Sequence, residues 1–204
     1  MDGVDPIGRW LGENVEFLIV PFVDKDGVEA GDQGKNRAPH DHNRDYGPTG
    51  GRYASVRAIR DLVRDPRTGR IDMAIDLHDP WMFGPDHESI SLVGGPDAAI
   101  WTEVERFAAQ LERSSVGPLP YRSSANTPYG TSWNTDANCP APLQSNNGFL
   151  DTVPQVAMHL TLEFPYASAD DHEVTAETSR LFGADLAQAI HDHLRSTPGS
   201  EPRP

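Results

Sequence analysis

Lys35, Arg37 and Arg44 lie close together in the chain, with Asn36 and Asn43 among them. Planar guanidinium forks beside amide groups suit a carboxylate, because each fork can donate two parallel hydrogen bonds to its two oxygens. The chain carries a formal charge of −14, so this cationic loop is a local exception in an acidic protein and is expected to hold an anionic group. His78 closes Asp76-Leu77-His78 and could ligate a metal through one ring nitrogen. In an ideal strand Asp76 shares its face and is placed for contact with the ring. An ordinary surface or core histidine gives the same pattern. Glu163 closes the apolar run Leu160-Thr161-Leu162-Glu163, where it either pairs with an arginine or acts as a base with a raised pKa.

These groups need elements to carry them. The apolar run Val15-Glu16-Phe17-Leu18-Ile19-Val20 reads as a buried strand over 15–22, ending in the cationic loop. Alternation over 71–77 predicts a strand that delivers His78 at its end, and 156–164 reads as a central strand carrying Glu163 near its exit. A short strand is expected at 89–93. Helical spacing of apolar residues predicts helices at about 52–64, 97–112 and 172–194, with a helical turn at 6–13. The stretch 114–152 is rich in Ser, Pro, Asn and Gly and carries Tyr121, Tyr129, Trp133 and Phe149; it reads as an ordered lid. Strands alternating with helices indicate a three-layer α/β/α sandwich on a mixed, mostly parallel sheet. Its ligand crevice would lie beyond the carboxyl ends of the strands. One domain is expected over 1–195, followed by a disordered Pro-rich tail at 196–204.

Composition narrows the function classes. A pI near 4.8 argues against nucleic acid or an anionic membrane as partner. A single cysteine, Cys139, excludes an intrachain disulfide and a Cys-rich metal site, and is expected to be an inert thiol. The start of the chain lacks the basic and apolar regions of a signal peptide, so a cytoplasmic location is expected. There is no Gly-x-Ser-x-Gly of a serine hydrolase, no phosphate-binding loop, and no complete calcium loop at Asp24-Lys25-Asp26-Gly27.

Taken together, the motifs resemble those of the zinc metallocarboxypeptidases of the carboxypeptidase A-like family, nearest the bacterial and cytosolic branch. Asp41-His42-Asn43-Arg44 is similar to the family's Asp-x-Asn-Arg, and Asp76-Leu77-His78 to its Asp-Leu-His. Leu160-Thr161-Leu162-Glu163 is similar to its Thr-Leu-Glu, and Asp24-Lys25-Asp26-Gly27 to its Asn-Pro-Asp-Gly turn. The resemblance covers about residues 15–165. It implies hydrolysis of C-terminal peptide or amide bonds by zinc-activated water, with Glu163 as general base and Arg37 as donor to the carbonyl and oxyanion. Asn43 and Arg44 would clamp the substrate carboxylate, Tyr129 would contact it, and His78 would be a zinc ligand. The family's His-x-x-Glu pair of zinc ligands is missing, and no histidine precedes His40. The resemblance therefore implies a domain without its N-terminal third, with weak or absent zinc binding and poor solubility. A binding remnant without catalysis, or a zinc-dependent acylamino-acid deacylase, are the alternatives it leaves.

Overall fold

The computed structural model describes residues 5–32, 34–81, 84 and 87–197. In chain order it contains α1 (Pro6–Asn14), α2 (Lys25–Ala30), α3 (Ala54–Arg64), β1 (Ala74–His78) and β2 (Ser91–Val93). These are followed by α4 (Ala98–Ser114), α5 (Asn146–Leu150), β3 (His159–Glu163), β4 (Ser168–Ala169), β5 (His172–Glu173) and α6 (Ala176–Ser196). Single 3-10 turns sit at Gly34–Asn36, His42–Arg44 and Ser123–Ala125.

β3 is the middle strand of a three-stranded sheet ordered β1-β3-β2, parallel to β1 and antiparallel to β2. The sheet is thus mixed, with one parallel and one antiparallel pair rather than a parallel majority. All five residues of β3 are buried, and their alternation assigns two jobs to the strand. Leu160 and Leu162 enter a core with Val104, Phe107 and Leu111 of α4 and Phe182 and Ala189 of α6. Each such side chain contributes roughly 1.5–3 kcal/mol on full burial. His159, Thr161 and Glu163 face the other way. A second core packs Val56, Ile59 and Val63 of α3 with Tyr46, Phe149, Leu150, Val153 and Val156.

The helices begin where their caps dictate. Asp5, Asp24 and Asp97 accept backbone N–H bonds at the starts of α1, α2 and α4, and Thr175 and Thr178 form a capping box at α6. Asp24-Lys25-Asp26-Gly27, expected as a turn, is the first turn of α2, which ends at Gly31 in the left-handed region with φ 70°. The stretch 114–152 is ordered as expected, and it contains α5, which the sequence did not reveal. α6 runs through Ser196, so the expected tail begins no earlier than 197; residues 198–204 lie outside the described residues.

The expected strand at 15–22 is not formed. The segment is extended, but its backbone makes no hydrogen bond over 16–22 among the described residues. Phe17, Leu18, Ile19, Val20 and Phe22 are all exposed, Ile19 to 75%. Its apolar pattern is that of a core strand, yet a strand exists only where a neighbour pairs its backbone, and none of the described residues does so.

Candidate active site

Parallel register brings the two acid–base candidates together. Ala74, Asp76 and His78 of β1 stand opposite His159, Thr161 and Glu163 of β3, so all six side chains belong to one face of the sheet. His78 Nδ1 lies 3.6 Å from Asp76 Oδ2. Burial works against the His78 imidazolium, but Asp76, by contact and charge, outweighs it with help from Glu163 and Asp41, raising the pKa to about 9. Glu163 is 7% exposed, and its buried Oε2 has no hydrogen-bond partner among the described residues. Burial pushes its carboxyl up to about 7, a rise reinforced by Asp76 and Asp79 and tempered by the positive charges of His78 and Lys35. A carboxyl poised near neutrality is suited to exchanging a proton with a substrate or a water.

His78 and Glu163 open onto a groove of about 2800 Å³, whose lining includes Asn43, Arg44 and Tyr129. The 3-10 turn His42–Arg44 positions the first two: Asp41 caps it by accepting from Asn43 N, and Asn43 Oδ1 accepts from Asn146 N at 2.8 Å, tying the loop to α5. Arg44 donates Nη1 to the Asn43 carbonyl at 3.0 Å and makes no ion pair among the described residues. Tyr129 donates its hydroxyl to Asp136.

Arg37 is placed differently. It does not line this groove. Nη1 donates to Asp32 at 2.9 Å and Nη2 to Asp24 at 3.1 Å, while Nε lies 2.9 Å from Asp24 Oδ2 without its N–H aimed at the oxygen. Desolvation lowers the Arg37 pKa, but Asp24 and Asp32 more than offset this and raise it. Asp24 also lies 3.3 Å from His42 Nδ1, and the His42 ring stacks on Tyr53 at 3.6 Å. His40 bonds Asp45 at 2.7 Å. The two loop histidines are therefore fixed by their neighbours within the loop and α3.

Three residues absent from the sequence reading lie beside the groove. His159, fully buried, contacts Asn147 through Nδ1 and lies 3.2 Å from Asp151 Oδ1 through Nε2. Gly95 is required there, since a Cβ at this position would stand 2.6 Å from Asp151 Oδ2. The signal was the histidine inside an apolar strand two positions before Thr161, on the same face as Glu163.

A catalytic zinc takes three protein ligands. Among the described residues, no three His, Cys, Asp or Glu side chains come together as a metal site, and His78 is held by Asp76 as an imidazolium that cannot ligate. The residues present do not fit such a centre. What they form is a cationic and amide-bearing loop facing a buried acid–base pair. Among the described residues, no helix is long and apolar enough to cross a membrane.

No protein-family model and no curated protein matches this sequence. Among solved structures, the chain is similar to a metallo-carboxypeptidase from Burkholderia cenocepacia, with a TM-score of 0.71 and 22% identity. The match covers 95% of this chain and 49% of that one, so the chain spans about half the length of its structural relative. Over nearly all of its length, this chain has the fold of part of a metallo-carboxypeptidase.

Proposed function

We propose that this chain carries the carboxylate clamp and general base of a metallo-carboxypeptidase-like hydrolase acting on peptide C-termini. The observation that carries this reading is the presence of Asn43, Arg44, His78 and Glu163 in one groove, with Arg44 making no ion pair among the described residues. Arg44 and Asn43 bind the terminal carboxylate, and Tyr129 closes against it. Glu163 accepts a proton near neutral pH. Arg37, held by Asp24 and Asp32, orders the loop and donates to the carbonyl only if those contacts are exchanged. Hydrolysis through zinc needs ligands beyond His78, supplied by a further polypeptide segment.

A second reading, carboxylate binding without cleavage, is favoured by the lack of a three-ligand group among the described residues. Titration with an acetylated tetrapeptide, in its free-acid and C-terminally amidated forms, tests the clamp. The acid binds and the amide does not; equal binding of both removes the proposal. Adding zinc and following release of the C-terminal residue separates the readings, since release identifies a hydrolase and saturable binding without release identifies a binder.

A further inference from the structure

β1 has a partner on one side only. Ala74 N donates to Met158 O and Phe164 N donates to His78 O, so the even-numbered residues of β1 turn their backbone groups to β3. By strand alternation, Ile75 and Leu77 turn both N–H and C=O away from β3, toward the outer edge. That edge is unpaired. Both residues line the groove, whose far wall is residues 15–22, another extended segment without backbone partners. Two unpaired, apolar, extended backbones thus border one open slot. Sheet strands lie about 4.7–4.9 Å apart, so a chain paired with both walls would extend the sheet by two ladders at once.

We propose that this slot is a docking site for an extended β-strand of a second, non-identical polypeptide, which adds to the sheet alongside β1. The partner is a strand with apolar side chains and basic flanks. Apolar residues match the exposed Phe17, Leu18, Ile19 and Leu77 walls, and basic flanks complement a chain of formal charge −14. The related carboxypeptidase carries about half a chain with no counterpart here, so polypeptide beyond that of this chain is part of its structure. Main-chain bonds to Ile75 and Leu77 give affinity, and the apolar walls select alternate side chains. The proposal stands apart from the hydrolase reading, because strand addition requires neither metal nor turnover.

The probe is a blocked synthetic peptide of alternating valine and threonine, seven residues long, with two lysines at each end. Its control has proline in place of each threonine, which keeps the charge and removes the ladder donors. Amide hydrogen exchange is followed residue by residue on the full chain. The probe is expected to slow exchange saturably at Ile75 and Leu77, by about tenfold or more, and to slow it across 16–20. Ile19→Asp weakens this response by about tenfold, whereas Val116→Asp, exposed and outside the groove, leaves it unchanged. Three results overturn the proposal: no slowing at Ile75 and Leu77 with millimolar probe, equal slowing by the proline control, or slowing without probe in a chain that sediments as a dimer. The last assigns the slot to a second copy. Slowing without peptide hydrolysis leaves this inference standing and counts against the hydrolase alone.

Discussion

The two edges of the sheet are finished in opposite ways. At the β2 edge, Leu92 N donates to Asn126 Oδ1 and Leu92 O accepts from Thr127 N, while Ile90 and Val93 bridge to Tyr121 and Thr127. A short segment thereby covers the edge, and Ile90, Leu92 and Val93 are all buried. At the β1 edge nothing equivalent is paired; Leu77 is 69% exposed and the apolar run 15–22 faces it across a groove. Similar apolar sequences have different fates because covering a sheet edge requires backbone partners as well as hydrophobicity. The first edge belongs to a finished core, and the second has the form of an interface.

The sharpest way to break this contrast is a pair of truncations. Leu162→Ala, at 1% exposure in the middle strand, is expected to cost about 3–4 kcal/mol through lost burial and the cavity left behind. Ile19→Ala, at 75% exposure, is expected to stay within about 0.5 kcal/mol. Urea denaturation of the isolated chain measures both. A cost at Ile19 comparable with that at Leu162 would mean that the 15–22 wall is already part of a core.

The acid–base pair at the open edge gives the next largest effect. Glu163 titrates near 4.5 when unfolded and at about 7 when folded, and His78 near 6.5 and at about 9. Both folded-state values are raised, so the folded state holds protons more tightly and each contribution is lost as pH rises. Stability is expected to fall between about pH 4.5 and 7 as Glu163 ionises, by about 3 kcal/mol at most. It falls again between about 6.5 and 9 as His78 loses its proton. Glu163→Gln removes the lower window. Thermal melts from pH 5 to 9 that stay flat in the parent chain, or slope equally in the variant, would contradict this assignment.

What could be read in the sequence follows the same division. α3, α4 and α6 were legible because their apolar residues recur at helical spacing and find partners within the chain. β3 was legible because Leu160 and Leu162 alternate with the residues that carry chemistry, and the convergence of His78 with Glu163 followed from a parallel register. The run at 15–22 carried the same signal as β3 and misled, because composition encodes a strand's preference for burial and leaves its neighbours unstated. α5 escaped notice because five residues are too short for periodicity. The held position of Arg37 was also hidden, since it depends on Asp24 being turned back by its own helix cap.

Arg44 tests the groove at the level of a single contact. A charge-assisted hydrogen bond contributes about 1.5–3 kcal/mol, so Arg44→Ala is expected to weaken binding of the free-acid peptide by roughly 10–100-fold. Stability should barely change, because the guanidinium's bond is to the carbonyl of Asn43, its own neighbour in sequence. Calorimetric titration showing full affinity in the variant would move the carboxylate site elsewhere.

The smallest expected effect asks whether the open edge is locally ordered by its own charges. Asp24 sits directly beyond the exposed apolar run, accepts from Gly27 N at 2.9 Å to start α2, and holds both Arg37 and His42. Asp24→Ala removes the cap and the charge and is expected to cost about 1–2 kcal/mol; Asp24→Asn keeps a capping oxygen and should cost less than half of that. His42 distinguishes the two contributions. Burial already lowers its pKa, and Asp24 is the largest group acting in the opposite direction, so either substitution should lower it further. NMR titration of the His42 ring reads this shift directly. An unchanged His42 pKa would show that Asp24 acts only as a cap, and that the loop at the open edge is ordered by its backbone and by the stacking on Tyr53.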